Sequence, residues 1–143
     1  MRYVLPGLGA LMIMACSTEP NEGLDATVSL DRARLVRGET VTITVSVWGG
    51  TLTGSSTCLT GFNVLDAGGA VVAPGDWVCT ADIVSVAVHG QPYVRRFTWA
   101  GYAGGGVSGA PLPAGTYRIV GGTGPAGGVR GSVSAPVSLE LTD

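Results

Sequence analysis

The feature that most constrains the fold is the run from Glu39 to Trp48. Val41, Ile43, Val45 and Val47 alternate there with Thr40, Thr42, Thr44 and Ser46. A period of two puts the apolar side chains on one face and the hydroxyls on the other. With β-branched residues on both, this marks a strand buried on one side and wet on the other. A helix would scatter the same residues around its circumference.

Shorter segments repeat the theme. Ala26 to Leu30 reads as a strand with Val28 and Leu30 on one face. Gly61–Asp66 and Ala70–Ala73 flank Ala67-Gly68-Gly69 as a hairpin, where glycine allows positive φ. Ile83–His89 carries Val84, Val86 and Val88 on one face. In Tyr93–Trp99, Phe97 and Trp99 are expected in the core, with Arg95 near the strand end and its head in water. Thr116–Val120 follows. Val133–Leu141 closes the chain, with Val133, Ala135, Val137, Leu139 and Leu141 on one face.

Between these segments lie turn-formers. The chain has 24 Gly and 8 Pro, and they cluster in Gly49–Thr60, Gly101–Pro113 and Gly121–Gly131, each read as a loop. Asp31–Gly38, with Arg32, Arg34 and Arg37, reads as a solvated connection. The pattern predicts an all-β domain of about eight strands, an immunoglobulin-like Greek-key β-sandwich. The Cys…Trp…Cys spacing of antibody domains is missing, and Cys58 and Cys79 fall outside the best strands.

Ahead of the strands, Arg2 and an apolar run from Val4 to Ala15 lead into Ile13-Met14-Ala15-Cys16. This resembles the lipobox of bacterial lipoproteins. The resemblance implies a signal peptide over 1–15, cleaved before a lipidated Cys16, then a flexible tether over 16–25 and a domain over 26–143. The alternative is an ordinary secretory signal that contains Cys16 by chance. The run is too short to span a bilayer, which takes about 20 apolar residues. Two or three acyl chains, at about 0.8 kcal/mol per buried methylene, would anchor the protein firmly. Under the sorting rule of enteric lipoproteins, Ser17 in place of Asp implies the outer membrane. The nine residues Ser17–Asp25 would reach about 30 Å fully stretched.

Removing 1–15 leaves 7 Arg, no Lys and 10 acidic residues. That weak acidity argues against a nucleic-acid partner, which needs a basic face. In an oxidising envelope compartment, Cys58 and Cys79 read as a disulfide. It would close a loop of about 20 residues and contribute roughly 3 kcal/mol. A metal or redox pair is the other option. The wide spacing and the lack of a nearby His speak against it.

Phe97-Thr98-Trp99, followed by Leu112-Pro113-Ala114-Gly115-Thr116-Tyr117-Arg118-Ile119, resembles the bacterial intracellular proteinase inhibitor (BsuPI-like) domains, which are Ig-like sandwiches. The run from Val36 to Ile43 fits the way many bacterial Ig-like domains start their second strand. The resemblance implies the fold more directly than inhibition, because no inhibitory loop matches residue by residue. Physically, Gly115 permits a tight approach, and Tyr117 can bury its ring while its OH bonds nearby backbone, as in a tyrosine corner.

The remaining motifs point away from chemistry. Gly122-Thr123-Gly124-Pro125-Ala126-Gly127 matches G-x-G-x-x-G, but Pro125 and the glycines after it give no helix to meet a phosphate. His89 is the sole histidine, and no G-x-S-x-G elbow is present. Asp66, Asp76 and Asp82 lack calcium-loop spacing. Trp48 and Trp77 read as packing at the core edge. We therefore expect no enzyme, cofactor or metal. The expected role is a lipid-anchored envelope module that binds an envelope or extracellular protein or assists assembly. Loops 49–57, 100–113 and 121–131 would lie at the sandwich ends. The alternative is a proteinase inhibitor presenting a loop, with Arg130 or 100–113 as the contact; a small hydrolase dependent on His89 is a more distant third.

Overall fold

The computed structural model describes residues 21, 23–74, 79–103, 109–124 and 133–143. Cys16, Asp76, Trp77 and Arg130 lie outside the described residues. Those described form ten strands: β1 (Asp25–Leu30), β2 (Arg34–Val36), β3 (Val41–Trp48), β4 (Thr51–Gly54), β5 (Thr60–Leu65), β6 (Val71–Pro74), β7 (Val84–Ala87), β8 (Tyr93–Trp99), β9 (Gly115–Thr123) and β10 (Val137–Thr142). One sheet has the order β1-β3-β8 and the second β2-β10-β9-β5-β6; β4 and β7 form a separate ribbon. All pairings are antiparallel except β2 with β10, which is parallel.

The alternating run forms β3, the middle strand of its sheet. Val41, Ile43, Val45 and Val47 are fully buried, while the hydroxyl face is half-exposed. Each such side chain contributes about 1.5–3 kcal/mol of burial. They share one core with Phe62 and Val64 of β5, Ile119 of β9, and Leu139 and Leu141 of β10. The two sheets thus close face to face as a β-sandwich. Trp99 is fully buried at the end of β8, its indole N–H donating to the Tyr102 carbonyl at 2.9 Å. Phe97 is half-buried, its ring centroid 5.4 Å from that of Phe62.

Several sequence expectations need correction. The arginine-rich connection contains β2, because Leu35 inserts fully into the core and fixes the backbone around it. The Gly49–Thr60 loop contains β4, held by the buried Leu52 and by pairing with β7. Gly121–Thr123 belongs to β9 and is not loop. A Cβ on Gly121 would lie 2.7 Å from Val45 Cγ2, so the glycine lets the two sheets approach. The last strand begins at Val137, not Val133. Pro136 lacks the N–H to extend the ladder, Val133 makes only an isolated bridge to Gly122, and Val133 and Ala135 are exposed. Ser134 is buried between them, its hydroxyl accepting from Gly121 N–H at 2.9 Å.

Candidate functional site

The register fixes which loops share an end. Asp25 pairs with Trp48, and Thr60 with Thr123. One end, the amino pole, therefore gathers residues 21–24, the segment from Gly49 to Leu59, residues 79–83 and 89–92, and the turn at Gly124, whose N–H donates to Leu59 O at 2.9 Å. Val41 pairs with Trp99, and Gly115 with Leu141. The opposite carboxy pole gathers 31–33, 37–40, 66–70, 100–103, 109–114 and Asp143. Of the loops expected at the sandwich ends, 49–57 and 121–124 thus lie at one pole, and 100–103 with 109–113 at the other.

At the amino pole, β3 and β8 pair as far as Val47 and Tyr93; beyond, Gly49 N–H donates to Val88 O at 2.9 Å and Val88 N–H to Gly50 O at 2.8 Å. β4 and β7 then continue the ladder, and residues 89–92 bulge out of it. Gly49 takes φ 102°, which glycine adopts at little cost. Cys58 and Cys79 are disulfide-bonded. Around that bond, the Thr80 hydroxyl lies 3.0–3.3 Å from those of Ser55, Ser56 and Thr57, and the Ser55 hydroxyl 3.3 Å from that of Thr57. Thr80 N–H donates to Thr57 Oγ1 at 3.0 Å, and the Thr80 hydroxyl donates to the Asp82 carboxylate. Hydrogen bonds from Ser56 and Thr80 hold the Asp82 carboxyl below its ordinary 3.8. Arg95 donates to Thr57 O from mid-strand, with its guanidinium 5.0 Å from the Phe97 ring centroid. The sequence placed Arg95 near the strand end with its head in water; it instead fastens a neighbouring loop.

Asn21 was missed by sequence reading. Its side-chain carbonyl accepts Thr53 N–H at 2.7 Å, and its amide donates to Thr53 O at 2.8 Å. One side chain thus mimics a neighbouring strand along β4. Leu24 is buried against the core. Asn21 and Leu24, which fall in the expected flexible tether, are therefore docked. The only sequence hint is an Asn near Gly23; Asn tolerates the left-handed backbone seen at φ 66°.

The carboxy pole is fastened differently. The Tyr117 hydroxyl donates to Pro113 O at 2.6 Å, closing the expected tyrosine corner. Burial and then the negative charge of Asp66 raise the phenol above its ordinary 10.0, partly offset by Arg37. Leu112 N–H donates to Gly101 O at 2.9 Å, Ala103 N–H to Ala110 O at 2.8 Å, and Arg37 to Leu112 O at 3.2 Å. Exposed pairs line the surface: Arg32–Glu39 at 3.0 Å, Arg34–Glu140 at 3.1 Å and Arg37–Asp143 at 2.8 Å.

Residues weighed for chemistry do not converge. Asp66 spends its carboxylate on Gly68 and Ala70 N–H, both at 2.9 Å, at the carboxy pole, while Asp82 stands at the amino pole. Among the described residues, no cluster of three His, Cys, Asp or Glu is placed to hold a metal. His89 is exposed in the bulge after β7. Gly122 lies within a strand ladder opposite Gly61, where a phosphate loop would need the strand to have ended.

No family model matches the chain, and no curated protein matches it. Two solved structures are distantly similar. One is a β-glucosidase from Listeria innocua in complex with glucose, at TM-score 0.47 and 14% identity, covering 84% of this chain but 16% of that one. The other is a CARDB domain from Pyrococcus furiosus in complex with di-metal ions, at TM-score 0.42 and 15% identity, covering 88% of this chain and 98% of that one.

Proposed function

We propose that this is an immunoglobulin-like Greek-key domain, lipid-anchored through Cys16 in a bacterial outer membrane, that binds an envelope or extracellular protein without catalysing a reaction. The strand order supports the fold label. The first edge is split, with β1 beside β3 and β2 parallel to β10, as Ig-like domains divide their first strand between sheets. The tyrosine corner points the same way.

The observation that carries the binding role is that the loop stems at both poles are fixed by bonds of their own in addition to the core. A disulfide and a hydroxyl cluster hold 55–58 to 79–82, and backbone bonds with Tyr117 hold 100–103 to 110–113. Pre-set stems lower the ordering cost of binding. The test is capture from native membranes by the acylated chain, compared with chains in which 49–57 or 104–108 is replaced by Gly/Ser. Loss of one defined partner with one replacement supports the reading; a partner indifferent to both contradicts it.

The clamped stem of 100–113 favours one second reading, proteinase inhibition by a presented loop. It requires stoichiometric inhibition of a protease that disappears when 104–108 is replaced.

A further inference from the structure

We propose that the docked segment before β1 fixes which pole faces the membrane. The amino pole rests at the lipid headgroups, and the carboxy pole, with 31–33, 66–70, 100–103 and 109–113, is presented outward. The proposal rests on the reading of Cys16 as the lipidated residue.

The argument is one of lengths. Asn21 is pinned to Thr53 by two hydrogen bonds, of 2.7 and 2.8 Å, and Leu24 is 7% exposed, so any leash from Cys16 to the domain extends no further than Asn21. A Cβ on Gly50 would stand 2.9 Å from Leu24 Cδ2, so the segment lies tight against the ribbon. Cys16 is five residues before Asn21, a reach of at most about 17 Å. For the carboxy pole to touch the bilayer, the leash would have to run back along the sandwich. β3 alone has 8 residues, about 27 Å. The leash is too short to invert the domain.

The amino pole also suits a headgroup layer. Ser56, Thr57, Thr80 and Gln91 are exposed there and can hydrogen-bond phosphate and ester oxygens, while the Asp82 carboxylate beside them can meet a choline ammonium. Arg32, Arg34 and Arg37 stand at the other pole, each paired with an acid.

The test uses the full acylated chain in phosphatidylcholine vesicles carrying a headgroup-attached quencher. A fluorophore is placed through Gln91→Cys at the amino pole or Ala67→Cys at the carboxy pole, both exposed positions. We expect several-fold stronger quenching at 91 than at 67. Inserting about 15 Gly/Ser residues between Ser17 and Thr18 lengthens the leash and should bring the ratio close to one. Mass spectrometry of the N-terminal peptide reads the anchor separately. Equal quenching in a chain confirmed as acylated overturns the orientation and leaves the anchor standing. An unmodified Cys16 overturns both.

Discussion

The two poles of the sandwich solve one problem by different means. Each must hold glycine-rich chain in place where the sheets end. The carboxy pole does so with burial and local bonds: Trp99 fills the core under its loop, and Tyr117 reaches back four residues to Pro113. The amino pole relies on long-range fasteners. Cys58 bonds Cys79, Thr57 bonds Thr80, and Asn21 bonds Thr53 across 32 positions. The carboxy pole, held by burial and hydrogen bonds, carries no redox-sensitive link. The amino pole depends on its crosslink.

This contrast orders the predictions. The largest effect is Trp99→Ala, which empties a fully buried site and should cost about 4 kcal/mol in denaturant unfolding. A loss within experimental error of zero would mean that the carboxy pole does not rest on this side chain. Next, Cys58→Ser with Cys79→Ser should cost about 3 kcal/mol, through the chain entropy of the opened loop. That cost should match the effect of a reductant on the native chain.

Tyr117→Phe is a smaller change, about 1 kcal/mol, from the lost bond to Pro113 O. It carries a pH signature. The folded phenol titrates above 10.0, so the folded state keeps a proton that the unfolded chain releases. The contribution is complete below pH 10.0 and falls as pH rises past it. Thermal melts of the parent should weaken there, and the Phe variant should lose that part of the slope. Smallest is Arg34→Ala. Its partner Glu140 is exposed, so about 0.5 kcal/mol or less is expected, vanishing in high salt.

The same contrast explains what the sequence made legible. The alternation in Val41–Val47 and the Pro-x-Gly-x-Tyr stretch at 113–117 are local patterns, and the half-buried strand and the tyrosine corner formed as read. The cysteine pair was readable by elimination once the compartment was assumed. β2 and β4 were hidden because each holds a single buried apolar residue, Leu35 or Leu52, and no period can be read from one point. Asn21, Thr57 and Thr80 act on partners 32 or 23 positions away, and nothing in their own neighbourhood announces the contact. Gly121 resembled loop glycine because its reason for being small, Val45 across the sheets, lies in another part of the chain.

Independent fastening of the poles is most directly tested by hydrogen exchange with and without reductant. On reduction, the amides of 51–58 and 84–88 should lose protection by orders of magnitude, while those of 99–103 and 112–119 keep theirs. Uniform loss across both regions, or unchanged exchange at 51–58, would contradict the account.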